Sequence, residues 1–220
     1  MFSAIIFDCD GVLINSESIL RTYHIRHLAG FGLHYEPESY SRKFKGKAWP
    51  QFVALVEEEF QEKFGKPLPD GCFDSVRDDT WAEYQRSLGA TDGVEALLSS
   101  LTLPKAVASN SHAASLERKL KLTGLHAHFD PYLIALDHVS RGKPAPDMFL
   151  HAADRLGAAP ETCLVIEDST TGVTAATEAG MTSWGYVGES ADDPGLPDQL
   201  RAAGASEIFV HHDEIRERLG

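Results

Sequence analysis

Cysteine is scarce in this chain. There are three in 220 residues, Cys9, Cys72 and Cys163, an odd number with no paired spacing. That excludes a disulfide-stapled scaffold and fits a reducing compartment, so a cytoplasmic location is expected. Cys9 and Cys163 stand inside apolar runs, where a thiol packs as a small hydrophobe. Basic residues are also short, with 20 Lys and Arg against 33 Asp and Glu, a formal net charge of −13. Nucleic-acid binding wants a basic face, so no nucleic-acid partner is expected. No apolar run is long enough to span a bilayer, and no membrane association is expected. The opening Met1-Phe2-Ser3-Ala4-Ile5-Ile6-Phe7 lacks a basic n-region, so a cleaved signal is not expected either. Internal repeats and low-complexity tracts are missing too. What remains is 43% hydrophobic residues with both signs of charge. That is the composition of a globular protein, either one domain or one domain with a lid.

Against this background one short run stands out, Phe7-Asp8-Cys9-Asp10-Gly11-Val12. The preceding Ala4-Ile5-Ile6-Phe7 reads as a buried strand, and the two carboxylates sit where it should end. Side chains alternate along a strand, so residues two apart can point the same way. Two close carboxylates repel, unless a cation lies between them or one keeps a proton. Asp8 can then be a metal-bound nucleophile and Asp10 a protonated acid.

Three further pieces follow in order. Val107-Ala108-Ser109-Asn110-Ser111 ends an apolar run in hydroxyl and amide groups that can hold phosphate oxygens together with the N–H groups of a turn. Gly142-Lys143-Pro144-Ala145-Pro146-Asp147 holds a lysine on a stiff turn, with Asp147 expected to cap a helix starting at Met148. Cys163-Leu164-Val165-Ile166-Glu167-Asp168 is an apolar strand ending in two more carboxylates. Ligands of open parallel sheets bind at the carboxyl ends of the strands. If these strands share a sheet, they bring together a nucleophile, an acid, two phosphate holders and hard oxygen ligands for Mg²⁺.

The pattern along the chain predicts a strand over about 3–8 and a helix from the Asn15-Ser16-Glu17-Ser18 region to about Leu28. Pro37 opens a second helix, a third runs from Gln51 to about Phe64, and a fourth from Phe73 to Leu88. Alternation of strands and helices resumes near Gly89. Helices are expected to about Leu101, then over 112–122, 147–156 and 172–179. Strands are expected over 105–109, 131–135, 163–167, 182–187 and 208–210. The fold class is α/β, a doubly wound parallel sheet. Residues 1–15 and 89–220 form its Rossmann-like core, and 16–88 form a helical, four-helix-like cap inserted after the first strand.

With Asp8-Cys9-Asp10-Gly11, Ser109, Lys143 and Glu167-Asp168 in this order, the chain resembles the haloacid dehalogenase-like phosphohydrolase superfamily. The resemblance runs from Ile5 to about Tyr186. It is strongest to the branch with a helical cap after the first motif, which includes β-phosphoglucomutase and several sugar-phosphate phosphatases. It implies that Asp8 attacks phosphorus to give an aspartyl-phosphate, and that Asp10 protonates the leaving alkoxide and then deprotonates water. It implies Ser109 and Lys143 as holders of the phosphoryl group. Mg²⁺ would lie on Asp8, the Asp10 backbone carbonyl and Asp168, with Glu167 a direct ligand or one water removed. Dehalogenases of the superfamily lack the second Asp, so Asp10 directs the expectation to phosphate chemistry.

The stretch Ser41-Arg42-Lys43-Phe44-Lys45-Gly46-Lys47-Ala48-Trp49 is the most basic of the chain. The resemblance implies that its Lys-Gly turn contacts substrate, which singles out Lys45, Gly46 and Lys47 beside Asn110. The mutase pattern has a His where this chain shows Leu20 and an Arg where it shows Trp49. Both differences favour a plain phosphatase of a small phosphorylated metabolite, a sugar or sugar-acid phosphate. A phosphosugar mutase and a non-catalytic Mg²⁺/phosphate-binding module are the alternatives. Closure of the cap would exclude water. The pairs His24/His27 and His211/His212 are not expected to bind metal. A monomer is expected.

Overall fold

The computed structural model describes residues 2–44, 49–191 and 193–220. In chain order the elements are β1 (Ala4–Phe7), α1 (Ser16–Ala29), α2 (Pro37–Phe44), α3 (Trp49–Phe64), α4 (Val76–Ser87), α5 (Val94–Ser100) and β2 (Lys105–Ser109). There follow α6 (Ala113–Leu122), β3 (Leu133–Ala135), α7 (Asp147–Leu156), β4 (Cys163–Glu167), α8 (Thr170–Glu178), β5 (Thr182–Tyr186), α9 (Leu196–Ala203), β6 (Glu207–Phe209) and α10 (His212–Leu219). The chain divides into two compact units, Met1–Glu17 with Leu88–Gly220, and Ser18–Ser87.

In the first unit the six strands form one parallel sheet in the order β3-β2-β1-β4-β5-β6. Helices cover both faces of such a sheet, so its central strands are apolar throughout rather than alternating. All four residues of β1 are buried. Alternation still sorts them: Ile5 and Phe7 join a cluster with Leu97, Val107, Leu116 and Ile166, while Ala4 and Ile6 join another with Ala108, Phe149, Val165 and Ala176. Phe7 is fully buried and meets Phe129 edge-on at 5.9 Å. Truncating it to Ala would cost about 3–5 kcal/mol. β1 lies between β2 and β4, where the winding direction reverses, so the carboxyl ends of β1 and β4 open the crevice typical of these sheets.

The second unit leaves and re-enters the first through one pinch. The Asn15 N–H donates to the Gly89 carbonyl at 3.1 Å, and Gly89 N–H donates back to Asn15 Oδ1 at 2.9 Å. The unit has its own core of Leu28, Leu33, Tyr40, Phe44, Phe52, Val56 and Phe60. The α1 histidines are spent inside it: His24 Nδ1 lies 2.6 Å from the Tyr40 hydroxyl, and His27 Nε2 2.7 Å from the Cys72 carbonyl. Trp49 is 46% exposed and stacks on Phe52 at 5.2 Å.

Several boundaries differ from the sequence reading. α8 starts at Thr170, because Ser169 is its N-cap and accepts from the Gly172 N–H at 3.1 Å. Asp147 is the first residue of α7 and not its cap; its carboxylate is taken by Arg141 at 2.6 Å. The helices α9 and α10 were not anticipated. α10 begins with a capping box in which His211 accepts from Asp213 and Glu214 reaches back to the His211 N–H. Among the described residues, no helix is long and apolar enough to cross a membrane.

Candidate active site

β1 carries Asp8 one residue past its end, and the Asp8 N–H donates to the Ile166 carbonyl at 2.9 Å, tying it to the end of β4. The chain then turns at Gly11, whose φ of +87° suits a residue without a side chain. A Cβ there would also collide with the Asp168 carboxylate. Asp168 therefore lies against the turn that follows Asp8.

Lys143 reaches this point from the loop before α7. Its Nζ donates to Asp8 Oδ1 at 2.5 Å, Glu167 Oε1 at 2.6 Å and the Ala108 carbonyl at 2.9 Å. All three donors of the ammonium are used. The lysine is held from behind. Asn110 Oδ1 accepts from the Lys143 N–H at 2.9 Å, Asn110 Nδ2 donates to the Lys143 carbonyl at 3.2 Å, and the Phe149 ring lies 4.8 Å from the ammonium. The second oxygen of Glu167 accepts from the Ser169 N–H and hydroxyl at 2.9 and 2.8 Å. Gly172 makes room for it, since a Cβ at that position would overlap the Glu167 carboxylate.

Burial is the largest influence on Asp8 and pushes its carboxyl up to about 8; Lys143 opposes this, and the charges of Glu167 and Asp10 add to it. Burial also penalises the Lys143 ammonium, but Asp8 and Glu167 more than offset that and hold it above the usual lysine range. Four carboxylates (Asp8, Asp10, Glu167 and Asp168) share this end of the sheet with two buried lysines.

The second lysine is Lys119, on α6. Its Nζ lies 2.6 Å from both oxygens of Asp10 and 2.9 Å from Ser111 Oγ. Ser16 Oγ donates to Asp10 Oδ1 at 2.5 Å, Ser111 Oγ to Oδ2 at 3.1 Å, and Ser109 Oγ lies 3.4 Å from Oδ2. Burial raises the Asp10 carboxyl, but Lys119 and the hydroxyls outweigh it and leave it below the ordinary range.

The structure thus gathers Asp8, Lys143 and Glu167 into direct contact. It sets Asp168 against the Gly11 turn and Ser109 beside Asp10, and it places Asn110 on the Lys143 backbone. Lys45, Gly46 and Lys47 lie outside the described residues. Among the described residues no three His, Cys, Asp or Glu side chains form a metal cage. The sequence reading missed Lys119, Ser16 and, as a partner of Asp10, Ser111. A signal for Lys119 existed: it falls on the apolar stripe of α6 with Leu116 and Leu120, where a charge needs a buried partner.

Known proteins are similar to this chain over most of its length. A family model for haloacid dehalogenase-like hydrolases matches residues 2–180. The 6-phosphogluconate phosphatase of Escherichia coli K12 is 29% identical over 192 residues, covering 87% of this chain and 85% of that protein. The fructose-1-phosphate phosphatase of the same organism is 31% identical over 180 residues, covering 82% and 94%. The crystal structure of a hydrolase of this family from Deinococcus radiodurans R1, with bound phosphate and sodium, superposes with a TM-score of 0.86 at 32% identity, over 99% of this chain and 95% of that one.

Proposed function

Because the chain belongs to the haloacid dehalogenase-like hydrolases, we propose that it is a Mg²⁺-dependent phosphatase of a small phosphorylated metabolite, a sugar or sugar-acid phosphate. The observation that carries this reading is Lys143, whose ammonium bridges Asp8 and Glu167 at the ends of β1 and β4. An ammonium in that position holds the Asp8 carboxylate in place and offsets the charge of an incoming phosphate. The relatives that act on 6-phosphogluconate and fructose 1-phosphate support the substrate class.

In the proposed reaction an Asp8 oxygen attacks phosphorus while the bond from phosphorus to the ester oxygen breaks. Asp10, ionised in the resting site, takes up a proton from solvent as substrate binds and gives it to the leaving alkoxide. Asp10, now a carboxylate, takes a proton from water as the water oxygen attacks phosphorus. The Asp8–phosphorus bond breaks and inorganic phosphate leaves. Ser109 would hold a phosphoryl oxygen, and the Lys143 ammonium, its three donors spent on Asp8, Glu167 and the Ala108 carbonyl, would act on the phosphoryl group as a charge. Positioning and charge neutralisation supply most of the acceleration in such transfers.

The residues fit a magnesium ion. Four carboxylates exceed the two lysines in charge, and the Asp168 carboxylate fills the space that a side chain at Gly11 would take. Magnesium takes one or two carboxylates and keeps several waters, so a cage of three acidic side chains is not needed. Asp8, Asp168 and the backbone oxygen of Asp10 would hold it, with Glu167 a ligand or beside them. Bound there, the ion would neutralise charge between Asp8 and the phosphoryl group. All three cysteines are free thiols, in keeping with a cytoplasmic enzyme, and a monomer is the corresponding proposal for assembly.

The test is phosphate release from a panel of sugar phosphates, sugar-acid phosphates, nucleotides and p-nitrophenyl phosphate, with Mg²⁺ and with chelator. Release from a few related sugar phosphates, lost with chelator and lost in Asp8→Asn, is expected. No release from any phosphomonoester, or full activity in Asp8→Asn, refutes the reading.

A further inference from the structure

Among the described residues, Lys119 is the one buried lysine at the site that does not touch Asp8. It is 4% exposed, and its three donors are taken by the two oxygens of Asp10 and by Ser111 Oγ. It therefore has no donor left for a phosphate. Stability alone explains it poorly. An apolar residue of similar volume would continue the stripe of Leu116 and Leu120, and replacing buried ion pairs by such residues is often neutral or stabilising. What the lysine does achieve is geometric. A carboxylate gripped through both oxygens by one ammonium, with Ser16 on one oxygen and Ser111 on the other, has its plane and direction fixed. The carboxylate so fixed stands two residues from Asp8, among other carboxylates that would repel it if Lys119 were absent.

We propose that Lys119 is a positioning residue for Asp10, aligning its carboxylate for the proton transfers of phosphoester cleavage through contact with Asp10 alone. The proposal rests on the phosphatase reading above. It separates two kinds of substrate. An alkyl phosphate leaves as a strongly basic alkoxide and needs the proton that Asp10 supplies. An aryl phosphate leaves as a stabilised phenolate and does not. The value of kcat/KM reports steps up to departure of the leaving group, so the need for a proton appears there directly.

The experiment compares kcat/KM of the wild type, Lys119→Met, Asp10→Asn and the double variant. The substrates are p-nitrophenyl phosphate and the best-hydrolysed sugar phosphate of the panel. Lys119→Met is expected to lose at least about tenfold on the sugar phosphate and less than about threefold on p-nitrophenyl phosphate. In the Asp10→Asn background the same change should add less than about twofold, because residues that act as a unit are not additive. Equal losses on both substrates, an undiminished effect in the Asp10→Asn background, or no loss at all would overturn the proposal. Lys119→Gln, which keeps a donor but drops the charge, carries the comparison if the Met variant does not fold. Failure of both to fold would make Lys119 a structural residue and overturn it too. A wild type that hydrolyses no sugar phosphate defeats the phosphatase reading itself, so the two failures are distinguishable.

Discussion

His212 offers a stability prediction that depends on no substrate. The ring is fully buried and stacks on Tyr186 at 4.3 Å. Its Nε2 lies 2.9 Å from the Val12 carbonyl and 3.0 Å from Thr91 Oγ1. A carbonyl can only accept, so Nε2 carries the hydrogen and Nδ1 is bare. Among the described residues Nδ1 has no partner. A second proton would create a buried charge and a donor without an acceptor. Burial accordingly lowers the imidazole from 6.5 to about 4, with only partial opposition from the Val12 carbonyl. Between those values the unfolded chain takes a proton that the native protein refuses, so stability falls as pH falls. The contribution is full above 6.5 and is lost towards 4. The whole span is worth on the order of 3 kcal/mol, and about 2 kcal/mol of it is gone by pH 5. Urea unfolding of the wild type and of His212→Gln, each at about pH 7.5 and about pH 5, isolates the term. The amide does not titrate, while the other histidines are common to both proteins. The wild type should lose about 2 kcal/mol more than the variant on acidification. Equal losses in the two proteins would mean that the buried ring already carries its proton, or that burial does not set its titration.

Lys143→Met should abolish turnover and destabilise by about 3–5 kcal/mol in thermal unfolding, since it strands Asp8 and Glu167 without their shared cation; a variant as stable as the wild type would contradict the buried pairing. Gly172→Ala should lower kcat/KM at least about tenfold, because the new methyl takes the space of the Glu167 carboxylate and drives it from Lys143. The double variant with Glu167→Gln should lose little more than Glu167→Gln alone, and additive losses would argue against that route. Ser169→Ala removes the cap of α8 and a donor to Glu167. It should cost about 1 kcal/mol in urea unfolding, and a neutral result would mean that the helix start is satisfied without it.

The residues that frame the site were visible in the sequence because parallel strands end where function begins. Asp8, Ser109 and Glu167 each close an apolar run, and a polar side chain after three or four buried residues marks a strand end almost by itself. Lys143 was legible through the prolines that follow it. Lys119 showed only as a charge on the apolar stripe of α6; its partner did not show, because Asp10 lies 109 residues earlier. Only the three-dimensional path of α6 brings it to Asp10. The histidine pairs show the same limit. His24 and His27 are neighbours on α1 but face different partners, Tyr40 and Cys72. His211 and His212 diverge at the start of α10, one capping the helix and the other buried against Val12. The helices α9 and α10 were overlooked because they are short, eight residues each. Each takes its inward face from only two buried residues, Leu196 and Leu200 in one, His212 and Ile215 in the other.

The pinch between Asn15 and Gly89 also bears on how such a chain could change over time. Its two hydrogen bonds, with a further bridge between Ile14 and Ala90, close the path of the core as a turn would. The intervening residues are a detour whose two ends are fastened side by side. Closing such a detour costs only about 0.6 kcal/mol more for each doubling of its length. A longer, shorter or altogether different insert could therefore be exchanged at this clasp at little thermodynamic expense, with the catalytic strands keeping their register. The chemistry would be inherited with the sheet, and the choice of substrate could be rewritten in a separate stretch of sequence.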